Sequence, residues 1–143
     1  MLIKQLSVFV ENKPGRLAAV IEALGKNNVN MSALSLADTS EYGILRVIVD
    51  NPEAAAEILK GIGVIVKITK VLAISMDDTP GGLSKVLDIF LKNEINVDYM
   101  YAFVGKTANK AVMVVKVSDV KKAEDALLTA GIPTLDKDDV YRI

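Results

Sequence analysis

The residues best placed for chemistry form two Pro-Gly loops at matched positions along the chain. Residues 12–17 read NKPGRL, and residues 78–83 read DTPGGL, 66 positions later. Each loop follows a run of strand-forming residues and precedes a helical pattern of apolar residues. A helix N-terminus offers unpaired N–H groups and a partial positive charge, and a glycine lets a ligand approach the backbone. The pattern therefore predicts the binding of a small carboxylate rather than acid–base chemistry.

The two loops belong to a longer internal duplication. Between residues 12–31 and 78–97, seven of twenty positions are identical, and they include Pro14/Pro80 and Asn30/Asn96. A repeat of this length indicates two structural units of about 70 residues each. The same residues also suit an ordinary helix start, and duplication copies structural parts as faithfully as functional ones. The repeat therefore predicts the architecture, and the ligand site is a hypothesis.

We place the domain boundary so that residues 1–68 form one unit and residues 69–143 form the other. A unit of this size has a marginal core when it is alone. We therefore expect the two units to pack side by side, and we expect the chain to form a homodimer.

Hydrophobic periodicity predicts the order βαββαβ in each unit. The apolar positions 17, 20, 21 and 24 follow the i, i+3, i+4, i+7 spacing of a helix with one buried face. Asn12 is the predicted N-cap of this helix, with Pro14 in its first turn. The predicted fold class is α+β, with two ferredoxin-like units in which the helices cover one face of an antiparallel sheet.

The strand ends and connections are predicted from turn residues and branched apolar runs. Strands at 64–67 and 70–76 follow each other almost directly, without a flexible linker. Hairpin loops are expected at 38–43 and 105–109, and the last strand is expected at 140–143.

Composition excludes several classes of function. The chain has no Cys and no His, so thiolate nucleophiles, zinc clusters and imidazole acid–base pairs are ruled out. The net charge is −1 and only 5% of residues are aromatic, which argues against nucleic-acid binding. No apolar run could span a membrane and no signal peptide is visible, so we expect a cytoplasmic protein. We expect no cofactor and no metal.

The pattern of loop and strand resembles that of a known family. The loop D/N-x-P-G-x-L, followed by N-V/I-N before the second strand, is similar to the ACT domain. Because the resemblance covers the chain twice, it implies a stand-alone tandem ACT-domain protein without an attached enzyme.

The first loop also resembles the serine-binding loop of phosphoglycerate dehydrogenase regulatory domains. In that family, asparagines of the loop and of the approach to the second strand bind the effector amino acid across a pair of domains. The resemblance implies these roles for Asn12 and Asn30, and for Asp78 and Asn96. This sequence departs from that family at two positions. Val10 stands where that family has a histidine, and Asp78 replaces the loop asparagine and would repel an effector carboxylate. We therefore expect the two sites to differ in affinity, or one of them to stay empty.

The main hypothesis is a regulatory protein, not an enzyme, that binds a free amino acid at the interface between ACT-like units. The alternative is a regulatory subunit or oligomerisation module that acts by protein–protein contact on a metabolic enzyme. The residues predicted to bind the ligand are Asn12, Pro14, Gly15, Arg16, Leu17, Asn30, Met31, Asp78, Pro80, Gly81, Gly82, Leu83, Asn96 and Val97.

Overall fold

The computed structural model of the protein describes residues 2–38, 41–105 and 109–140. The chain divides into two compact units. The first unit contains residues 4–69, and the second begins at residue 70 and also includes the start of the chain.

The first unit is built from an antiparallel sheet and two helices. Its central strand pairs with a neighbour on each side, so that Leu45 lies opposite Val8 on one strand and opposite Leu36 on the other. Its elements are β1 (Ile3–Glu11), α1 (Arg16–Lys26), β2 (Met31–Asp38), the central β3 (Tyr42–Val49), α2 (Pro52–Gly61) and the beginning of β4 (Ile65–Asp77).

The two helices of this unit bury apolar residues against the sheet. Helix α1 buries Val20 and Leu24, as the periodicity predicts, and Leu17 packs at the edge of the same core. Helix α2 starts at the Asn-Pro pair: the side chain of Asn51 accepts a hydrogen bond from the N–H of Ala54 at 3.2 Å. This N-cap satisfies one of the free N–H groups at the start of α2.

The second unit repeats the arrangement. Strand β6 pairs antiparallel with β4 and β5, and β4 also pairs with β7, which gives the order β5-β6-β4-β7. Its further elements are α3 (Gly82–Lys92), β5 (Val97–Ala102), β6 (Lys110–Val117), α4 (Val120–Thr129), β7 (Thr134–Leu135) and α5 (Lys137–Val140). The predicted fold class, a tandem of ferredoxin-like α+β units, is confirmed.

Backbone conformation is copied between the units at the helix starts. Gly15 and Gly81 both lie in the left-handed region, with φ of 85° and 87°, and each precedes the first residue of a helix. Asp119 caps α4 as Asn51 caps α2, by accepting a hydrogen bond from a backbone N–H.

The predicted N-cap of α1 is wrong. The helix begins at Arg16 and its N-cap is Gly15, which has no side chain to close the helix end. Asn12 lies before the turn, where its backbone N–H donates to the carbonyl of Glu41 at 3.0 Å. Pro14 accordingly lies outside the helix. The left-handed glycine moves the helix start three residues beyond the asparagine.

Two of the predicted strands are continuous. Residues 64–67 and 70–76 were expected as separate strands, but β4 runs without a break from Ile65 to Asp77. No glycine or proline occurs between Gly63 and Pro80, so nothing in the sequence interrupts the extended backbone.

The prediction of a last strand at 140–143 is wrong at Val140, which lies in α5. The Asp136 side chain accepts a hydrogen bond from the Asp139 N–H at 3.0 Å, and the Asp139 side chain accepts one from the Asp136 N–H at 3.3 Å. This reciprocal capping box favours a helical turn.

The predicted hairpin loops can be compared with the structure only in part. Asp38, Tyr42 and Gly43 lie in strands rather than in the loop expected at 38–43. Residues 39–40, residues 106–108 of the second loop, and residues 141–143 lie outside the described residues.

The core of the second unit can be tested with two neighbouring leucines of α4. Leu127 is 0% exposed and Leu128 is 76% exposed. We expect Leu127→Ala to lower the free energy of unfolding by about 2–5 kcal/mol, because it leaves a cavity in the core. Leu128→Ala should change it by less than about 0.5 kcal/mol. Urea denaturation followed by circular dichroism measures both, and equal effects would contradict the assigned helix face.

The backbone of α1 allows a second comparison. A Cβ at Gly15 or at Gly25 would meet no atom within 4 Å, but only Gly15 has a positive φ. Gly15→Ala should therefore destabilise the protein by about 1 kcal/mol through backbone strain. Gly25→Ala should stabilise it by about 0.5–1 kcal/mol, because alanine has the higher helix propensity. Thermal unfolding of both variants checks the opposite signs.

Candidate functional site

The Pro-Gly loop of the first unit is a tight turn that leads into α1. The N–H of Arg16 donates to the carbonyl of Lys13 at 3.2 Å, and the N–H of Ala19 donates to the carbonyl of Gly15 at 3.0 Å. Between these two bonds lie N–H groups of the first turn, which an α-helix leaves without an intrahelical acceptor. Because a Cβ at Gly15 would meet open space, the backbone is accessible from that side.

The second loop has the same backbone hydrogen bonds. The N–H of Gly82 donates to Thr79 at 3.0 Å, and the N–H of Lys85 donates to Gly81 at 3.2 Å. Gly81 is as open as Gly15, but Gly82 is not: a Cβ at Gly82 would lie 2.1 Å from the carbonyl oxygen of Asp77. The second loop therefore folds closely against the end of β4, and no larger residue fits at position 82.

The asparagines that precede the second strand of each unit lie at the other end of the helix. The N–H of Asn30 donates to the side-chain carboxylate of Asp50, and the N–H of Asp50 donates to the carbonyl of Asn30, both at 3.3 Å. In the second unit, the N–H of Asn96 donates to the Ser118 hydroxyl at 3.3 Å, and the N–H of Ser118 donates to the carbonyl of Asn96 at 3.0 Å. Helix α1 has 11 residues, which correspond to about 16 Å. One unit therefore does not bring Asn12 and Asn30 together.

The other predicted site residues are divided between loop surface and core edge. Met31 and Val97 are the first residues of β2 and β5, and they pair with the adjacent central strands. Leu17 packs against the core, whereas Leu83 is 37% exposed. The exposed members of the Pro-Gly loops are Asn12, Lys13, Pro14, Gly15, Arg16, Asp78, Thr79, Pro80, Gly81 and Leu83.

Sequence reasoning did not identify a groove of about 560 Å³ in the first unit. It lies between the end of β1, one side of α1 and the turn from α2 to β4. Of the predicted ligand-binding residues, only Arg16 lines it. Its apolar lining includes Phe9, Val20, Tyr42, Ile62, Val64 and Ile65.

Charged residues at the groove are paired, with one exception. Glu11 pairs with Lys13 at 3.2 Å, and Glu22 pairs with Lys26 at 2.8 Å. The hydrogen bond from Lys26, together with its charge, lowers the pKa of the Glu22 carboxyl. Arg16 also lines the groove and makes no ion pair with any residue that the structure describes.

The second unit has a groove at the equivalent place, but its volume is only about 140 Å³. The two grooves are equivalent because their lining residues have the same strand register. Glu11 lies opposite Tyr42 in the first unit, and Asp77 lies opposite Lys110 in the second. Lys110 forms an ion pair with Asp77 across this groove. The hydrogen bond and charge of Lys110, with a smaller effect from Lys85, lower the pKa of the Asp77 carboxyl.

The groove of the first unit could have been found in the sequence by comparing the positions at which the two repeats differ. Position 16 has arginine where its counterpart, position 82, has glycine, and Ala19 corresponds to Lys85. These differences fall on groove residues of both units. Identical positions alone, such as the Pro-Gly pairs, indicate only what the units share.

Other types of site are not found in the described ranges 2–38, 41–105 and 109–140. No group of three or more acidic residues is placed to hold a metal ion there. Within the same ranges, no helix is long and apolar enough to cross a membrane.

Comparison with known proteins agrees with the fold. The crystal structure of protein BT0572 from Bacteroides thetaiotaomicron matches with a TM-score of 0.94 and 39% sequence identity, over 100% of this chain and 98% of that chain. The regulatory subunit of aspartate kinase from Thermus thermophilus, in its ligand-free form, matches with a TM-score of 0.67 at 15% identity, over 92% and 95% of the two chains. At that identity, the likeness concerns the fold alone.

The corresponding subunit from Thermus flavus gives a TM-score of 0.64 at 17% identity, over 92% of this chain and 94% of that chain. The search of curated proteins finds no match. Residues 1–143 match the sequence profile of the family described as "ACT domain pair". The chain therefore belongs to the ACT domain pair family, whose domains are regulatory and bind amino acids.

Proposed function

We propose that this protein binds a free amino acid through its Pro-Gly loops and acts as a regulatory module. The observation that carries the proposal is the pair of open left-handed glycines, Gly15 and Gly81, each at the N-terminus of an 11-residue helix. First-turn N–H groups and the helix dipole favour a carboxylate at such a position. The duplicated backbone therefore provides two candidate anchors for the effector.

The polar side chains of the loops should distinguish the two anchors. Asn12 is exposed and can both donate to a carboxylate and accept from an ammonium group. Asp78, when ionised, only accepts, so it suits the ammonium group and repels the carboxylate. We infer that the first loop binds the effector more tightly than the second.

A ligand that contacts both Asn12 and Asn30 needs more than one unit. The two residues lie at opposite ends of α1, about 16 Å apart along the helix, and a free amino acid is too short to bridge them. We therefore propose that the effector lies where two ACT-like units meet, and that the chain forms a homodimer. Binding would then stabilise one arrangement of the units, which is the requirement for a regulatory signal.

The second candidate function is regulation by direct contact with a metabolic enzyme. Helix α3 exposes Leu83, Leu87 and Leu91, which are 37%, 38% and 75% accessible and follow each other at i+4 spacing. An apolar stripe on a helix surface is typical of a protein–protein contact. Co-purification of an enzyme with the wild-type chain, but not with a Leu87→Ser/Leu91→Ser variant, would favour this function.

Calorimetry against each of the twenty amino acids tests the main proposal. We expect at least one of them to bind, and Asn12→Ala to weaken its binding about 2–10-fold, which corresponds to the loss of one or two hydrogen bonds. Asp78→Asn should strengthen binding at the second loop, because it removes the repulsion of the carboxylate.

Asn93→Ala serves as the matched control for these variants. The Asn93 side chain donates to the carbonyl of Ile89 at 2.8 Å at the C-terminal end of α3, opposite the Pro-Gly loop of its own unit. Its removal should leave the binding constant unchanged. The absence of heat from all twenty amino acids, or an equal loss in Asn12→Ala and Asn93→Ala, would contradict the proposal.

A further inference from the structure

We infer that the groove of the first unit is a separate binding site for a small carboxylate with an apolar body, and that Arg16 is the carboxylate partner. The inference goes beyond the proposed function, because the groove lies within residues 9–65 and needs no second ACT-like unit. It also does not depend on the open glycines of the Pro-Gly loops.

The size and lining of the groove define the apolar part of the ligand. Its volume of about 560 Å³ falls in the range of small-molecule sites, about 300–1,000 Å³. Phe9, Ile62 and Ile65 are exposed lining residues that contribute apolar surface. Tyr42 adds an aromatic ring with a polar end. A branched aliphatic chain or a single aromatic ring suits this surface, since its burial removes apolar area from water.

The charges of the groove define the polar part of the ligand. The carboxylates of Glu11 and Glu22 each have a lysine partner, at 3.2 and 2.8 Å. Arg16 is the charged lining residue that lacks an ion-pair partner among the described residues. A guanidinium binds a carboxylate through two parallel hydrogen bonds, so this charge selects an anion of that shape.

The second unit provides an internal control. At the positions of Arg16 and Ala19 it has Gly82 and Lys85, and its groove measures about 140 Å³. The amine of Lys110 is already paired with Asp77. The equivalent groove therefore lacks both the space and the guanidinium group, and we expect one carboxylate per chain at this kind of site.

The test is an NMR titration of the uniformly ¹⁵N-labelled full-length chain with leucine and with 4-methylpentanoate, which lacks the amino group. Both ligands should shift amide signals of the groove, such as those of Val20, Ala23 and Val64, and leave those of Val86 and Ile132 in the second groove unchanged. Tighter binding of leucine would show that the groove also recognises the ammonium group. Equal binding would show that the carboxylate and the apolar body suffice.

Variants at position 16 test the carboxylate partner. Arg16→Gln should weaken binding about tenfold, consistent with the loss of a charge-assisted hydrogen bond. Arg16→Lys should retain part of the affinity. Lys60→Gln removes a positive charge from the same unit, on the exposed surface of α2 and outside the groove, and should have no effect.

Several results would overturn the inference. They are the absence of any shift at millimolar ligand, shifts confined to the Pro-Gly loops, equal shifts in both grooves, or unchanged affinity in Arg16→Gln. Shifts of groove amides that depend on protein concentration instead of ligand would assign the groove to contact with a second copy of the chain. Shifts in the groove without shifts at residues 12–15 would support this site and contradict the loop site, so the two proposals can fail independently.

Discussion

The left-handed glycine between strand and helix is the constraint on which the site geometry depends. At Gly15 and Gly81 the chain turns from the end of a strand into a helix, with φ of 85° and 87°. An L-residue with a side chain reaches this conformation only with strain, and glycine also leaves the space beside the backbone open. The same choice of residue thus gives the turn its geometry and leaves the first N–H groups of the helix accessible.

Duplication has preserved this backbone while the side chains around it have diverged. The helix caps and the left-handed positions agree between the units, whereas the residues beside the turns do not. Arg16 is exposed next to a wide groove, but Gly82 is packed so closely against Asp77 that a side chain cannot fit. A shared fold therefore supports two units whose grooves differ in volume and charge, and the difference lies in a few side chains.

Periodicity and turn chemistry were sufficient to predict the fold from the sequence. The apolar spacing in α1 is a local signal, and the structure contains this helix with Val20 and Leu24 buried. The N-cap at Asn12 was wrong, because the left-handed glycine starts the helix and its conformation competes with the cap. The last strand was wrong at Val140 because the Asp136–Asp139 capping box was not recognised. The groove could not be predicted from any one segment, since it is lined by four separate parts of the first unit.

The pKa shifts at the two grooves come from surface ion pairs. Active sites typically contain groups whose pKa is shifted by burial and by several neighbours. Here the lowered pKa values of Glu22 and Asp77 arise mainly from one exposed lysine partner each, as expected for surface ion pairs. Such pairs are screened by solvent and contribute little to stability. A charge that has no such partner in the described part of the chain, as at Arg16, is therefore more informative about where a ligand could bind.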